Sequence, residues 1–499
     1  MIREPKFPGP ACRAFVAAVI VLAASLTTAA PAAESPRKRN VLMIAVDDLR
    51  PELGCYGNRK IITPNFDRLA AGGLVFDRAY TQISVCMPSR VSLLSGIRPE
   101  NLGRTGKLTG HLPAGAVSLP QYFKQNGYDT ISVGKVYHHN DDDEAGWTKR
   151  YTVTFGEGHM CQGYASGYHL AGNLDVLPNY FKRLDPEKPL SRPDCYEIVD
   201  KPDGEYPDGK ITAAVIDELG EHARSGKPFL LAAGYYRPHL PHTAPKKYWD
   251  LYRRDELDAA DNPYPVQGGI GNTDWNELRR YGDIPNSGPV TDEKARQLIH
   301  GYYASVSFID AQIGRLLDEL QRLGLRDNTA IVLWGDHGWN LGEHGWWSKN
   351  TNYEISTRTA MMASVPGLTR GGTTAALVEL VDVYPTVCEL AGLPLFDYLE
   401  GTSFVPLLSD PGRPWKRAAF SIWIGSRSMR TDRYRLTRYD EAVSEPTLWQ
   451  FPSKGVFELF DHQTDPDENV NVADDPKYRR VLEELVEEMD AGYEAARPD

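Results

Sequence analysis

The segment NVLMIAVDD, Asn40 to Asp48, is a continuous apolar run that stops at two carboxylates. An apolar run without polar alternation is the pattern of a strand buried on both faces. The pattern recurs along the chain. DTISVGK ends at Lys135, with His138 close behind, and FLLAAGYY, Phe229 to Tyr236, runs into RPHLPH and so into His239. AIVLWGDHG places Asp336 and His337 just past its end. Helical patterns separate these runs. In Ser305 to Leu323, the residues Val306, Ile309, Ile313, Leu316, Leu317 and Leu320 share one face, and Gly324 is a cap candidate. Strands alternating with helices imply an α/β fold with a large, mostly parallel sheet covered by helices on both sides. Ligands of such sheets bind beyond the carboxyl ends of the strands. Strands that each end in ionisable residues would bring those residues together at one edge.

The last hundred residues change character. AAFSIWI, MRTDRYRLTRY and GVFELFD alternate like antiparallel strands, and PKYRRVLEELVEEMDAGYEAA is an amphipathic helix. A boundary near Pro394 divides a large domain, residues 34–394, from a smaller C-terminal α+β subdomain with an antiparallel sheet, residues 395–499. Two stretches, His139 to Lys210 and Asp255 to Asp292, are irregular and rich in Gly, Pro, Asp, Asn and Tyr. Long irregular loops in a compact domain are often functional, so both are expected to shape substrate access.

The chain has 499 residues and a formal charge of −12, which argues against general nucleic-acid binding. Arg3, Lys6 and Arg13 precede an apolar stretch, Ala14 to Leu26, and TTAAPAAES offers cleavage sites near Ala32 or Ala33. Residues 1–33 read as a secretory signal peptide, with an uncleaved anchor as the alternative. The expected destination is periplasmic or extracellular, or a lysosome-like compartment in a eukaryote, without stable membrane insertion. Of six cysteines, Cys55, Cys86, Cys161, Cys195 and Cys388 survive cleavage; the odd number leaves at least one unpaired. Cys161 and Cys195 bracket a loop-like region and are the best disulfide candidates in an oxidising compartment. Cys388 lies in an apolar helical pattern and reads as a packing residue.

Asp47, Asp48, Asp336 and His337 form an oxygen-rich set that suits a hard cation, Ca²⁺ or Mg²⁺. The bland alternative is a helix cap and a turn. Cys86 lies in SVCMPSRVSLLSG, Ser84 to Gly96, where Pro88 fits the first turn of a helix. On residue types alone it is a buried small hydrophobe, a thiolate nucleophile at a helix N-terminus, or a modification site. Lys135 could equally be a solvated lysine after a strand. His138 could bind an adventitious metal, and His239 and His242 could brace a proline turn. Lys349 follows two tryptophans and could stack on one of them.

Cys86-Met87-Pro88-Ser89-Arg90, with Ser95-Gly96 downstream, resembles the type I sulfatase signature Cys-x-Pro-x-Arg followed by Thr-Gly. Ser95 departs from the usual Thr; the core of the signature is intact. NVLMIAVDDLRPELGCYG, VGKVYH, GYYRPHLP, WGDHGWNLGEHGWWSK and ELFDHQTDPDENVN also resemble sulfatases, most of all the iduronate-2-sulfatase branch. The resemblance runs from about Asn40 to the terminal helix. It implies the alkaline-phosphatase-like sulfatase fold and a cysteine oxidised to formylglycine by a formylglycine-generating enzyme. By the same resemblance, Asp47, Asp48 and Asp336 would ligate one calcium ion, completed by formylglycine at Cys86. His337, where many sulfatases have Asn, would be a ligand or near neighbour. Arg90 would orient the formylglycine, and Lys135, His138, His239 and Lys349 would surround the sulfate and leaving oxygen. Arg237 stands where related sequences often have Lys. The expected activity is a sulfuric ester hydrolase acting on a sulfated uronic-acid-containing glycan, first of all a hexuronate 2-O-sulfate. The alternatives are phosphate or phosphonate monoester hydrolysis on the same fold, and a secreted sulfated-glycan-binding protein without catalysis.

Overall fold

Every residue of β1 (Asn40–Val46) is buried, as an apolar run without alternation requires. Its side chains divide between two cores. Leu42, Ile44 and Val46 face one, and Val41, Met43 and Ala45 face the other. In this computed structural model the described residues are 38–102, 112–113, 115–138, 142–151, 167–179, 191–270, 277–423, 425–440 and 455–498. The expected signal peptide and Cys161 lie outside them.

Among the described residues, β1 is central in a nine-stranded mixed sheet. The other members are β2 (Leu74–Tyr80), β3 (Asp129–Gly134), β4 (Lys149–Tyr151), β5 (Phe229–Tyr235), β6 (Thr329–Gly335), β7 (Arg358–Thr359), β8 (Met361–Ser364) and β9 (Thr373–Glu379). The order is β4-β3-β5-β1-β6-β8-β2-β7, with β9 also on β2. β1 runs parallel to both β5 and β6, and β3 runs parallel to β5. The strand ends that carry Asp47, Lys135 and Asp336 therefore lie at one edge, beside the segment leading to His239. This is the mixed, mostly parallel architecture expected from the sequence.

One face is covered by the helices Pro207–Ser225 and Asp292–Arg322, whose Val306, Ile309, Ile313, Leu316 and Leu320 enter the first core. The other is covered by the helices Cys86–Ser95 and Val383–Leu390. Each fully buried Val, Leu or Ile contributes about 1.5–3 kcal/mol, so these two layers hold the sheet edge in place. A second, antiparallel sheet is made by β10 (Ala418–Trp423), β11 (Ser426–Thr431), β12 (Tyr434–Tyr439) and β13 (Val456–Asp461). Ala418, Met429, Leu436 and Leu459 pack there against Leu485 and Met489 of the terminal helix, Arg479–Ala495. No helix among the described residues is long and apolar enough to cross a membrane.

Glu379, at the end of β9, ties the two sheets together. It is buried and accepts from Arg98 Nη2 (2.7 Å), Lys416 Nζ (2.7 Å) and the Phe420 N–H of β10 (2.9 Å). Burial alone would raise its pKa, but the Arg98 and Lys416 cations outweigh it and push the carboxyl from 4.5 to about 2. Breaking such a buried group from its partners costs about 3–5 kcal/mol. Glu379→Gln is expected to lower unfolding stability by that order in denaturant titrations at neutral pH. Because the folded pKa lies below the unfolded one, this contribution is present above pH 4.5 and fades as pH falls toward 2. The gap between wild type and variant should therefore narrow across that window.

Candidate active site

The register Val46↔Gly335 sets the end of β1 beside the end of β6, so Asp47 and Asp336 emerge together. The next residue, Asp48, has φ 57°, a left-handed conformation that Asp tolerates better than most side chains. That turn aims its N–H at Asp336 Oδ1 (3.1 Å) and leaves its carboxylate inside the site. On the β3 side the backbones approach closely. A Cβ at Gly234 would lie 2.1 Å from the Lys135 carbonyl carbon, so only glycine fits and the Lys135 N–H can bond Gly234 O (2.8 Å).

The Cys86–Ser95 helix supplies two groups one turn apart. Cys86 opens it, Pro88 sits in its first turn, where no N–H is needed, and Gly96 closes it at φ 69°. Arg90 is fully buried. Its Nε donates to Asp336 Oδ2 (2.8 Å), Nη2 to Asp47 Oδ1 (3.2 Å) and Nη1 to the Val136 carbonyl (3.1 Å) and the Lys135 carbonyl. Its guanidinium also lies over the Trp334 ring, 5.4 Å from the centroid. Lys135 Nζ donates to the other oxygen of Asp47.

Around Cys86 the sequence-predicted residues converge. His337 Nε2 is 3.2 Å from Cys86 Sγ, and His337 Nδ1 is 3.5 Å from Asp48 Oδ1. One ligand atom each from Asp47, Asp48, Cys86 and His337 lies within 4.8 Å of all the others. Asp336 adjoins this group, with Oδ1 3.6 Å from His337 Nε2. Burial would raise Asp47, but Lys135, His239 and Arg90 hold it well below the usual carboxylate range. Burial raises Asp48, against the pull of Lys349. The Cys86 thiol is pushed far up by burial and then by Asp47, so it is a protonated thiol rather than a thiolate.

Lys349 Nζ donates to Asp48 Oδ1 (3.1 Å) and does lie over a tryptophan ring. The ring is Trp339, at 4.9 Å, rather than either tryptophan that precedes Lys349 in the chain. His239 Nε2 is 4.0 Å from Asp48 Oδ2, and its side chain is 20% exposed where those of Arg90, Asp336 and His337 are at 0%. His138 is half-buried three residues beyond Lys135, and the bonds described above do not run through it. His242 is buried and lowered to about 3 by desolvation, then by Arg237, which makes it a neutral packing histidine. Cys388 is buried in the second core, as its pattern indicated. The expected Cys161–Cys195 bridge is not seen at Cys195, a buried free thiol that donates to Asp283 Oδ2 (3.1 Å).

Sequence reasoning missed Glu277. Its Oε1 is 3.0 Å from His239 Nε2 and its Oε2 is 2.8 Å from Lys349 Nζ. The only signal for it was its place in the irregular stretch Asp255 to Asp292. It also missed Tyr302, whose hydroxyl donates to the Asp48 carbonyl (2.8 Å) and accepts the Arg50 N–H (3.1 Å), bracing the turn from the Asp292–Arg322 helix.

A buried carboxylate cluster at a parallel-sheet edge, ringed by Arg, Lys and His, defines a site for an anionic ester. The sulfatase family model matches residues 39–393, and the model for the C-terminal part of N-sulphoglucosamine sulphohydrolase matches 342–494. The chain belongs to the sulfatase family and is a sulfatase. It is 34% identical over 421 residues to mouse iduronate 2-sulfatase, covering 74% of this chain and 72% of that protein. With human iduronate 2-sulfatase the identity is 36% over 399 residues, covering 75% and 65%. The fold is also that of a phosphonate monoester hydrolase from Silicibacter pomeroyi, with TM-score 0.72 and 22% identity over 92% of this chain and 96% of that one.

Arg90 is the group this geometry can least replace. A lysine has one donor centre and cannot serve two carboxylates and two carbonyls at once. Arg90→Lys is expected to cut sulfate release at least about 10²-fold through misplaced groups. It should also lower stability by about 3–5 kcal/mol through a buried carboxylate left unpaired. Sulfate release and denaturant titration of the purified variant measure both.

Proposed function

We propose that this chain hydrolyses the 2-O-sulfate ester of a hexuronate in a sulfated glycan, through formylglycine made from Cys86 and with a bound calcium ion. The observation that carries this reading is the place of Cys86. A protonated thiol stands among Asp47, Asp48 and His337, where a nucleophile or a metal ligand belongs and where an unmodified thiol serves poorly as either. As cysteine it gives the cluster a mixed oxygen, nitrogen and sulfur donor set. Conversion to an oxygen-bearing side chain makes the set harder and better suited to Ca²⁺. Asp47, Asp48 and Asp336 would hold the ion, with residue 86, and His337 beside them. The ion would supply Lewis-acid charge to the sulfate oxygens, and the hydrated aldehyde would supply a hydroxyl nucleophile with a second hydroxyl for release of sulfate.

The remaining roles fall to the chain's own side chains. Arg90 orients residue 86 from the next turn of its helix and fixes Asp47 and Asp336. Lys135 and Lys349 offer donors to sulfate oxygens, which gain charge as the ester bond breaks. His239, the most open of these groups, protonates the leaving sugar oxygen, with His138 as the alternative donor. The iduronate 2-sulfatase relatives support the uronate 2-O-sulfate assignment, and so a role in glycosaminoglycan breakdown. The amino-terminal sequence supports export.

The test is mass spectrometry of the tryptic peptide Ala79 to Arg90 from secreted protein, paired with sulfate release from a 2-O-sulfated uronate disaccharide. Formylglycine at position 86 is expected, with turnover lost in Cys86→Ala, lost on chelation and restored by Ca²⁺. Unmodified cysteine together with undiminished turnover would refute the mechanism. Faster cleavage of an aryl phosphonate monoester than of the sulfate would transfer the reading to the phosphonate class.

A further inference from the structure

Glu277 has no part in the roles assigned above, yet it touches two of their holders. It sits in a short 3-10 turn, Glu277–Arg280, anchored in the first core by Leu278 at 1% exposure and by the adjoining Tyr281 at 3%. Its carboxylate is therefore held by the fold and not by a free loop. One oxygen meets His239 Nε2 at 3.0 Å and the other meets Lys349 Nζ at 2.8 Å. The imidazole is gripped at both ends, because His239 Nδ1 lies 2.6 Å from the Leu240 carbonyl. The ammonium is gripped on three sides, by Glu277, by Asp48 at 3.1 Å and by the Trp339 ring.

The same two groups also face Asp48. His239 Nε2 is 4.0 Å from Asp48 Oδ2, and Lys349 already bonds the Oδ1 atom. With no second anion, His239 would be drawn onto Asp48 as Lys349 already is, in a low-dielectric site where opposite charges attract strongly. Glu277 pulls from the other side.

We infer that Glu277 is a positioning residue for desulfation: it holds the Nε2–H of His239 off Asp48, poised for the leaving oxygen to take that proton, and shares the Lys349 ammonium with Asp48. The inference rests on the reading of His239 and Lys349 as substrate-facing donors. The geometric part stands on its own. Glutamine at this position keeps the shape but offers a single acceptor oxygen, so one of the two partners must be released. Aspartate keeps the charge on a shorter arm.

The experiment compares wild type, Glu277→Gln and Glu277→Asp, with the formylglycine content of each measured by mass spectrometry. Kinetics use two esters: the sulfated uronate disaccharide, whose sugar alkoxide must be protonated to leave, and a nitrophenyl sulfate, whose phenolate leaves unaided. Glu277→Gln is expected to lower kcat on the sugar sulfate about 10²-fold, the size of a general-acid contribution. On the aryl sulfate it should lower kcat by less than about 5-fold, at equal formylglycine content. Glu277→Asp should recover part of the loss. Equal losses on both esters, or no loss on either, would overturn the inference. A crystal structure of Glu277→Gln gives a second arm that needs no turnover: the His239 imidazole should move toward Asp48, and an unmoved side chain would overturn it. If wild type releases no sulfate from either ester, the reading of the reaction fails and the crystal comparison alone decides Glu277.

Discussion

The buried guanidinium of Arg90 is the constraint on which the site depends. It bridges Asp47 at the end of β1 and Asp336 at the end of β6, and it bonds the carbonyls that follow β3. Three strand ends and one helix are thus joined through one side chain. A guanidinium can do this because its donors diverge in a fixed plane and its charge persists when desolvated. The requirement runs in both directions. Arg90 needs the carboxylates to be buried without penalty, and they need a cation that cannot deprotonate.

From that bridge outward, the site is a set of buried charges compensated in pairs. Asp47 has Arg90 and Lys135, Asp48 has Lys349, and Glu277 has Lys349 and His239. Pairs of this kind add little net stability, because desolvation consumes most of the attraction. Their value lies in placement. Groups already desolvated and fixed need no reorganisation when charge moves in a reaction, and that is the largest single source of catalytic stabilisation in such sites. The contrast with Glu354, His462 and Glu468 is informative. Those three also cluster, but there Arg430 of β11 and Arg435 of β12 donate to Glu354 and so tie that sheet to the main body, while Arg435 also donates to Glu468.

How much of this was legible in the sequence follows from the kind of signal each residue carries. The sheet was legible because unalternated apolar runs such as Asn40–Val46 have few other uses. Residues just past those runs, Asp47, Lys135, Asp336 and His337, were legible because parallel topology gathers strand ends. Cys86 and Arg90 needed the motif, since a cysteine and an arginine one turn apart on a helix have many ordinary explanations. Glu277 was illegible. It comes from an irregular stretch where no periodicity constrains a side chain, and its partners are 38 and 72 residues away in the chain, as the numbers 239 and 349 show. The tryptophan under Lys349 was misassigned for the same reason: neighbours in sequence were favoured over Trp339, which a loop brings back across the site.

Cys86, Cys195 and Cys388 are all buried, and desolvation raises all three thiols. Burial alone therefore does not single out Cys86; its neighbours do. Cys388 lies among apolar side chains and Cys195 against one carboxylate, while Cys86 opens a helix whose residues are buried from Pro88 to Ser95. There Ser89 is bonded to the Asp336 carbonyl at 2.6 Å and Arg90 is locked between two strands. At 5% exposure, Cys86 offers little for a modifying enzyme to reach once the sheet edge has closed, which bears on when the proposed conversion can occur.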